Sequence, residues 1–140
     1  MLDTNVWLQW LVFEDPRLEA LNRYACEGAI RLVGHTRCRA ELARVLERDA
    51  IAARSPTATQ QLLARYDRLV ENWTDALMPA PLHCRDREDQ VFLDLAFAAG
   101  ARWLVTRDKA LLALAARARR LPETAWPLRP KIVTPEALQA

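Results

Sequence analysis

Between Gly100, a natural helix stop, and Asp108, a natural helix cap, stand Trp103-Leu104-Val105-Thr106. This run is short and has no polar face. A strand of that kind is buried on both sides, as in a parallel sheet covered by helices. Parallel neighbours need crossover connections, usually helical, so the rest of the chain must alternate helix with strand.

The pattern along the chain does so. Met1-Leu2-Asp3 reads as a strand end, and Thr4-Asn5 opens a helix through Val6, Trp7, Trp10 and Leu11. Asp15-Pro16 is a cap followed by a first-turn proline, predicting a helix to about Cys26 with Gly28 as its stop. Ile30 to Val33 reads as a strand. Thr36 then caps a helix carrying Cys38, Leu42, Val45, Leu46 and Ile51 on one side. Ser55-Pro56 starts the next, with Leu62, Tyr66, Leu69, Val70 and Trp73 at helical spacing. Leu77-Met78 is a possible short strand before Pro79 and Pro81. Asp89 opens a helix with Phe92, Leu95, Ala96 and Ala99 on its apolar face, and Asp108 one with Leu111, Leu112 and Ala115. The segment from Leu121 to Arg129 reads as a loop, Lys131 to Thr134 as a last strand, and Pro135 as the start of a short helix. At 140 residues this is one domain, 1–140, without repeat or linker.

Composition narrows the function. Only 3 glycines are present, too few for the loops that cradle nucleotide phosphates. No apolar run approaches a membrane span, and no secretory signal is visible. The 3 cysteines form no CxxC pair, which suits a reducing cytoplasm. His35, Cys38, His83 and Cys84 match no common zinc spacing; buried thiols are the expected use. Trp7 and Trp10, one turn apart, are expected in the core, with base stacking or a dimer contact as alternatives.

The acids carry the chemistry. Ligands of parallel sheets sit beyond the carboxyl ends of the strands. Asp3 and Asp108 both follow strands, Glu41 lies one turn into the helix after the Ile30 strand, and Asp89 opens the helix before the Trp103 strand. Four carboxylates at one edge repel, so some stay protonated or a divalent cation compensates them. Oxygen donors without His or Cys suit Mg²⁺ or Mn²⁺, the ions of phosphodiester cleavage. Each acid taken singly has a structural alternative. Asp89 and Asp108 could be helix caps, and Glu41 could pair with Arg37, Arg44 or Arg48. It is the joint pattern that favours a site.

That joint pattern resembles the PIN-domain nucleases, in particular their VapC-like toxin branch. The stretches that carry it are Leu2-Asp3-Thr4-Asn5-Val6, Ala40 to Leu46, Asp86 to Ala96, Gly100 to Asp108 and Lys131 to Pro135. The resemblance implies a three-layer α/β/α fold with a central, mainly parallel sheet. It implies a metal-dependent endoribonuclease, with Asp3, Glu41, Asp89 and Asp108 as catalytic and metal-binding acids. Asn5 and Thr106 would support them, and Asp86 is an alternative partner in place of Asp89. Asp94 is expected to face solvent. The implied partners are RNA, an antitoxin whose segment covers the acidic crevice, and a second copy in a homodimer, with Mg²⁺ or Mn²⁺ as cofactor.

Family members have several strand residues before the first Asp, whereas here only Met1-Leu2 precede it. The expectation is either an upstream start or an initiator Met standing in for an apolar strand residue.

Arg107 and Lys109 flank Asp108 and are candidate phosphate contacts, as are Arg85 and Arg87 in their loop. Subtracting four neutralised carboxylates from the formal +2 leaves about +6 elsewhere, which suits RNA phosphates. Three other functions compete. An aspartate-phosphorylating phosphatase needs Asp where Asn5 stands. A non-catalytic binding protein would keep the fold alone, and a general RNA-processing nuclease would cleave without being a toxin.

Overall fold

The structure is a computed structural model and describes residues 1–138. Its frame is two parallel strand pairs embedded in helices. β1 (Leu32–Gly34) pairs with β2 (Val70–Asn72), and β3 (Trp103–Val105) pairs with β4 (Lys131–Val133). The first residues add to the second pair. Leu2 bridges Val105 in parallel, the Met1 amino group donates to the Trp103 carbonyl at 3.1 Å, and Asp3 N–H donates to the Val105 carbonyl at 3.1 Å. β3 therefore lies between the chain start and β4. The two pairs stand where a single central sheet was expected.

The helices follow the apolar stripes. α1 (Thr4–Leu11) and α2 (Glu19–Cys26) are separated by a 3-10 turn at Pro16–Leu18, where Asp15 accepts from the Arg17 N–H. The Asp15-Pro16 start is thus real, but it opens a 3-10 turn first. α3 (Thr36–Leu46) is capped by His35, not Thr36: the imidazole Nδ1 accepts from the Arg37 N–H at 3.1 Å. Ile51 lies outside α3, on the single turn α4 (Asp49–Ala52). α5 (Thr59–Leu69) begins three residues after Pro56, because Ser55 and Thr57 bond to each other in a turn.

One strand contradicts the sequence pattern. Val70 continues the helical stripe in phase, yet α5 ends at Leu69 and Val70 is extended, at ψ 146°. Pairing with β1 outweighs the local helical preference, since strand formation depends chiefly on neighbours. The approach is close at Gly34, where an added Cβ would lie 2.7 Å from the Tyr66 hydroxyl and 3.1 Å from a Val70 methyl. Leu77-Met78, by contrast, forms no strand.

α6 (Gln90–Ala98) buries its apolar face deeply. Phe92, Leu93, Leu95 and Ala96 are all at most 2% exposed. Burying each large side chain contributes about 1.5–3 kcal/mol, so the segment that Asp89 introduces is firmly fixed. α6 ends at Gly100, whose φ of 59° favours glycine. α7 (Lys109–Leu112) and α8 (Ala115–Arg120) follow β3 and pack on β4. The expected 121–129 loop is present, anchored by Trp126, which is 1% exposed and meets Phe97 edge to face at 5.2 Å. A 3-10 turn at Pro135–Ala137 follows β4.

Trp7 and Trp10 stack on each other at 5.3 Å and are both 4% exposed, so they serve the core rather than stacking on bases. Among the described residues, no helix is long and apolar enough to cross a membrane.

Candidate active site

Asp3 reaches the site because the chain start runs beside β3 and ends level with it. There the backbone turns into α1, and Asp3 caps that helix: Oδ1 accepts from the Val6 N–H at 2.9 Å. Its other oxygen accepts from the Thr106 hydroxyl, which is fully buried just past β3. The same Thr106 Oγ1 accepts from the Asp108 N–H at 2.9 Å. One hydroxyl thus ties two acid-bearing segments together. Asp108 caps α7 through Oδ1, which accepts from the Leu111 N–H at 3.0 Å.

Glu41 arrives from α3. Its Oε2 accepts from the Thr4 hydroxyl at 2.8 Å, linking α3 to the first turn of α1. Asp89 stands immediately before α6 with helical backbone angles, and its side chain makes no capping bond. The capping alternative therefore describes Asp3 and Asp108 in part but not Asp89. Asp86 sits in the preceding loop, where Oδ1 accepts from the Glu88 N–H at 2.9 Å.

The electrostatics bring the four acids together. Asp3 is 3% exposed, and its pKa is raised by burial and then by Asp108, against the bonds from Thr106 and Val6. Asp89 is pushed up to about 7, first by desolvation and then by Asp108, Asp86, Asp3 and Glu41 in that order. Every predicted acid, with Asp86 as a fifth, acts on Asp89. Burial raises the Cys84 thiol, and Asp89, Asp108 and Asp86 add to the rise. Burial and Glu41 push Cys38 up to about 12. Both thiols are inert neighbours of the acids rather than nucleophiles.

The donor set fits a hard divalent cation. It is made of carboxylates and hydroxyls, and the Asp89 side chain makes no capping bond to α6. Among the described residues, no three His, Cys, Asp or Glu side chains stand close enough together to hold a metal ion as they lie. What exists is a shared negative field in which Asp89 is half-protonated near neutral pH, the condition a cation relieves. His35 and His83 stand apart from the cluster as a cap and an exposed loop residue, so no zinc set forms.

Several sequence expectations shift. Asn5 is exposed on α1 and bonds to none of the acids among the described residues; its neighbour Thr4, buried, takes the supporting role. The signal was present, since a residue directly after a capping Asp and beside buried Val6 and Trp7 turns inward. Arg107 is already engaged: Nε donates to Gln9 Oε1 at 2.6 Å and the fork pairs with Glu136. Its role is structural, whereas Lys109 stays exposed. Asp94 does not face solvent freely, because Oδ1 accepts from the Ala80 N–H at 2.9 Å and from Gln90 at 3.0 Å.

Parallel strands between helices, with acids at and near the strand ends, define an α/β protein. The PIN domain family model matches residues 1–110, and the chain belongs to that family. PIN domains are generally nucleases that hydrolyse nucleic acids with Mg²⁺ or Mn²⁺. Neither the curated proteins nor the solved structures give a match.

Proposed function

We propose that this chain is a Mg²⁺- or Mn²⁺-dependent endoribonuclease and the toxin of a toxin–antitoxin pair, of the VapC-like branch. The observation that carries the reading is the junction of three acid-bearing segments through two hydroxyls: Thr106 joins Asp3 to the Asp108 backbone, and Thr4, next to Asp3, bonds Glu41. Asp3, Glu41, Asp89 and Asp108 are the residues that would hold the cation. When bound, Mg²⁺ or Mn²⁺ supplies charge neutralisation of the phosphate and activation of water. Thr106 and Thr4 fix the orientations of Asp3 and Glu41, so these acids do not swing. Without a cation, burial and its acidic neighbours push Asp89 up to about 7, and a bound cation would return it to its charged, ligating form. In this reading the two strand pairs form parts of one central sheet in a three-layer α/β/α arrangement. The protein works in the cytoplasm as a homodimer, and an antitoxin segment bearing an Arg covers the acidic crevice.

The test is cleavage of RNA with Mn²⁺ or Mg²⁺, repeated with EDTA and with Asp3→Asn and Asp89→Asn. Loss of cleavage in EDTA and in both variants is expected. Cleavage that persists in both variants overturns the mechanism. A small upstream gene encoding a DNA-binding antitoxin would support the toxin role.

A further inference from the structure

A groove of about 360 Å³ is lined by Arg37, His83, Arg87, Gln90 and Asp94 over Cys84 and Val91. Both of its basic walls lead into the site. Arg37 lies four residues before Glu41 on α3, a spacing that puts both on one face. Arg87 lies two residues before Asp89. On the groove floor, burial first and then Asp89, Asp108 and Asp86 raise the Cys84 thiol pKa.

The loop that forms one wall is stapled to α6. Gln90 Oε1 accepts from the Cys84 N–H at 2.7 Å, and Gln90 Nε2 donates to the Leu82 carbonyl and to Asp94 at 3.0 Å each. Asp94, the carboxylate that also lines the groove, is occupied by two donors on Oδ1. Arg37 and Arg87 form no ion pair among the described residues, whereas Arg31, Arg39 and Arg107 each hold a carboxylate.

A polyanion approaching four carboxylates is repelled everywhere except where a cation meets it. A metal would serve the scissile phosphate alone, and the flanking phosphates need their own positive partners. Guanidinium forks match phosphate oxygens in pairs. We propose that this groove seats the phosphates of single-stranded RNA that flank the cleaved bond, with Arg37 and Arg87 as positioning residues and His83 beside them. The inference rests on the nuclease reading above but is measured by binding rather than by cleavage.

The experiment uses the full chain carrying Asp89→Asn, in Mg²⁺, and a short fluorescein-labelled single-stranded RNA read by anisotropy over a range of KCl. Adding Arg37→Ala and Arg87→Ala should weaken binding about tenfold or more. It should also flatten the dependence of log affinity on log salt by about one to two. Arg37→Lys with Arg87→Lys should restore the salt dependence but only part of the affinity. Arg117→Ala, exposed on α8 and outside the groove, should change neither. Affinity within twofold and an unchanged salt dependence in the alanine pair overturn the proposal, as does loss of binding to an acidic protein partner with RNA binding intact. If the wild-type protein cleaves no RNA but the alanine pair still loses binding, the groove stands and the nuclease reading falls. If the wild-type protein cleaves, and the alanine pair binds equally well and, with Asp89 restored, cleaves equally well, the groove alone falls.

Discussion

Replacing Asp89 by Asn should abolish cleavage and at the same time make the metal-free protein more stable. The carboxyl is raised from 3.8 to about 7 by burial and by its acidic neighbours. A group whose folded pKa lies above its unfolded value binds more protons folded than unfolded. Stability is therefore highest below about pH 4 for this group, falls as pH rises toward 7, and stays low above it. At 1.36 kcal/mol per tenfold, the full effect would be about 4 kcal/mol. Asp89 is only partly buried, and solvent screening reduces this to about 1–2 kcal/mol. For a chain of this size that corresponds to a Tm rise of roughly 3–6 °C at pH 8. The assay is thermal unfolding followed by circular dichroism in EDTA, wild type against Asp89→Asn, at pH 8 and pH 5. The gain should be full at pH 8, smaller at pH 5, and gone only below about pH 4. Added Mg²⁺ or Mn²⁺ should narrow the difference by stabilising the wild type more. A variant that is less stable than wild type by the same amount at both pH values would refute the reasoning.

Thr106→Val removes the hydroxyl shared by Asp3 and the Asp108 N–H, leaving buried groups unpaired; a loss of about 1–3 kcal/mol in denaturant unfolding is expected. Thr4→Val should lower RNA cleavage about tenfold or more at unchanged thermal stability within roughly 1 kcal/mol, and Thr4→Ser should restore most of it. Equal cleavage by Thr4→Val and wild type would remove Thr4 from the site. Gly34→Ala should destabilise the protein by about 1–3 kcal/mol, because its Cβ would meet the Tyr66 hydroxyl. Tyr66→Phe opens that contact, so Gly34→Ala should cost less in its background, measured as a double-mutant cycle.

The parts of the fold that could be read in advance are those where the local pattern and tertiary packing agree. β3 and α6 are of this type: β3 has no polar face, and the apolar face of α6 read from the sequence is the one buried in the structure. Val70–Asn72 was hidden because its first residue fits the preceding helical stripe, and only the partner strand, nearly forty residues earlier, makes it extended. Ile51 was misplaced for a related reason, since its phase matches α3 although the chain breaks at Glu47. The four acids could be nominated from the sequence because chemistry limits which residue types hold a hard cation; the structure adds that Asp108, Asp3 and Glu41 all act on Asp89. Their hydroxyl supports were legible only in part. Thr106 precedes Asp108 by two residues and was identified, whereas Thr4 was passed over for Asn5, whose amide is the more obvious polar group. Arg107 looked available because its partners Gln9 and Glu136 are far away in the chain.

Two of the four acids, Asp3 and Asp108, each hold the start of a helix, and the other two hold none. Mutational drift is thereby channelled. A lineage of this chain released from its enzymatic task could shed Asp89 or Glu41 and keep its shape, whereas losing Asp3 or Asp108 would loosen α1 or α7. Silent descendants should still carry the second pair long after the first has gone, so a surviving Asp3 testifies to architecture and a surviving Asp89 to use.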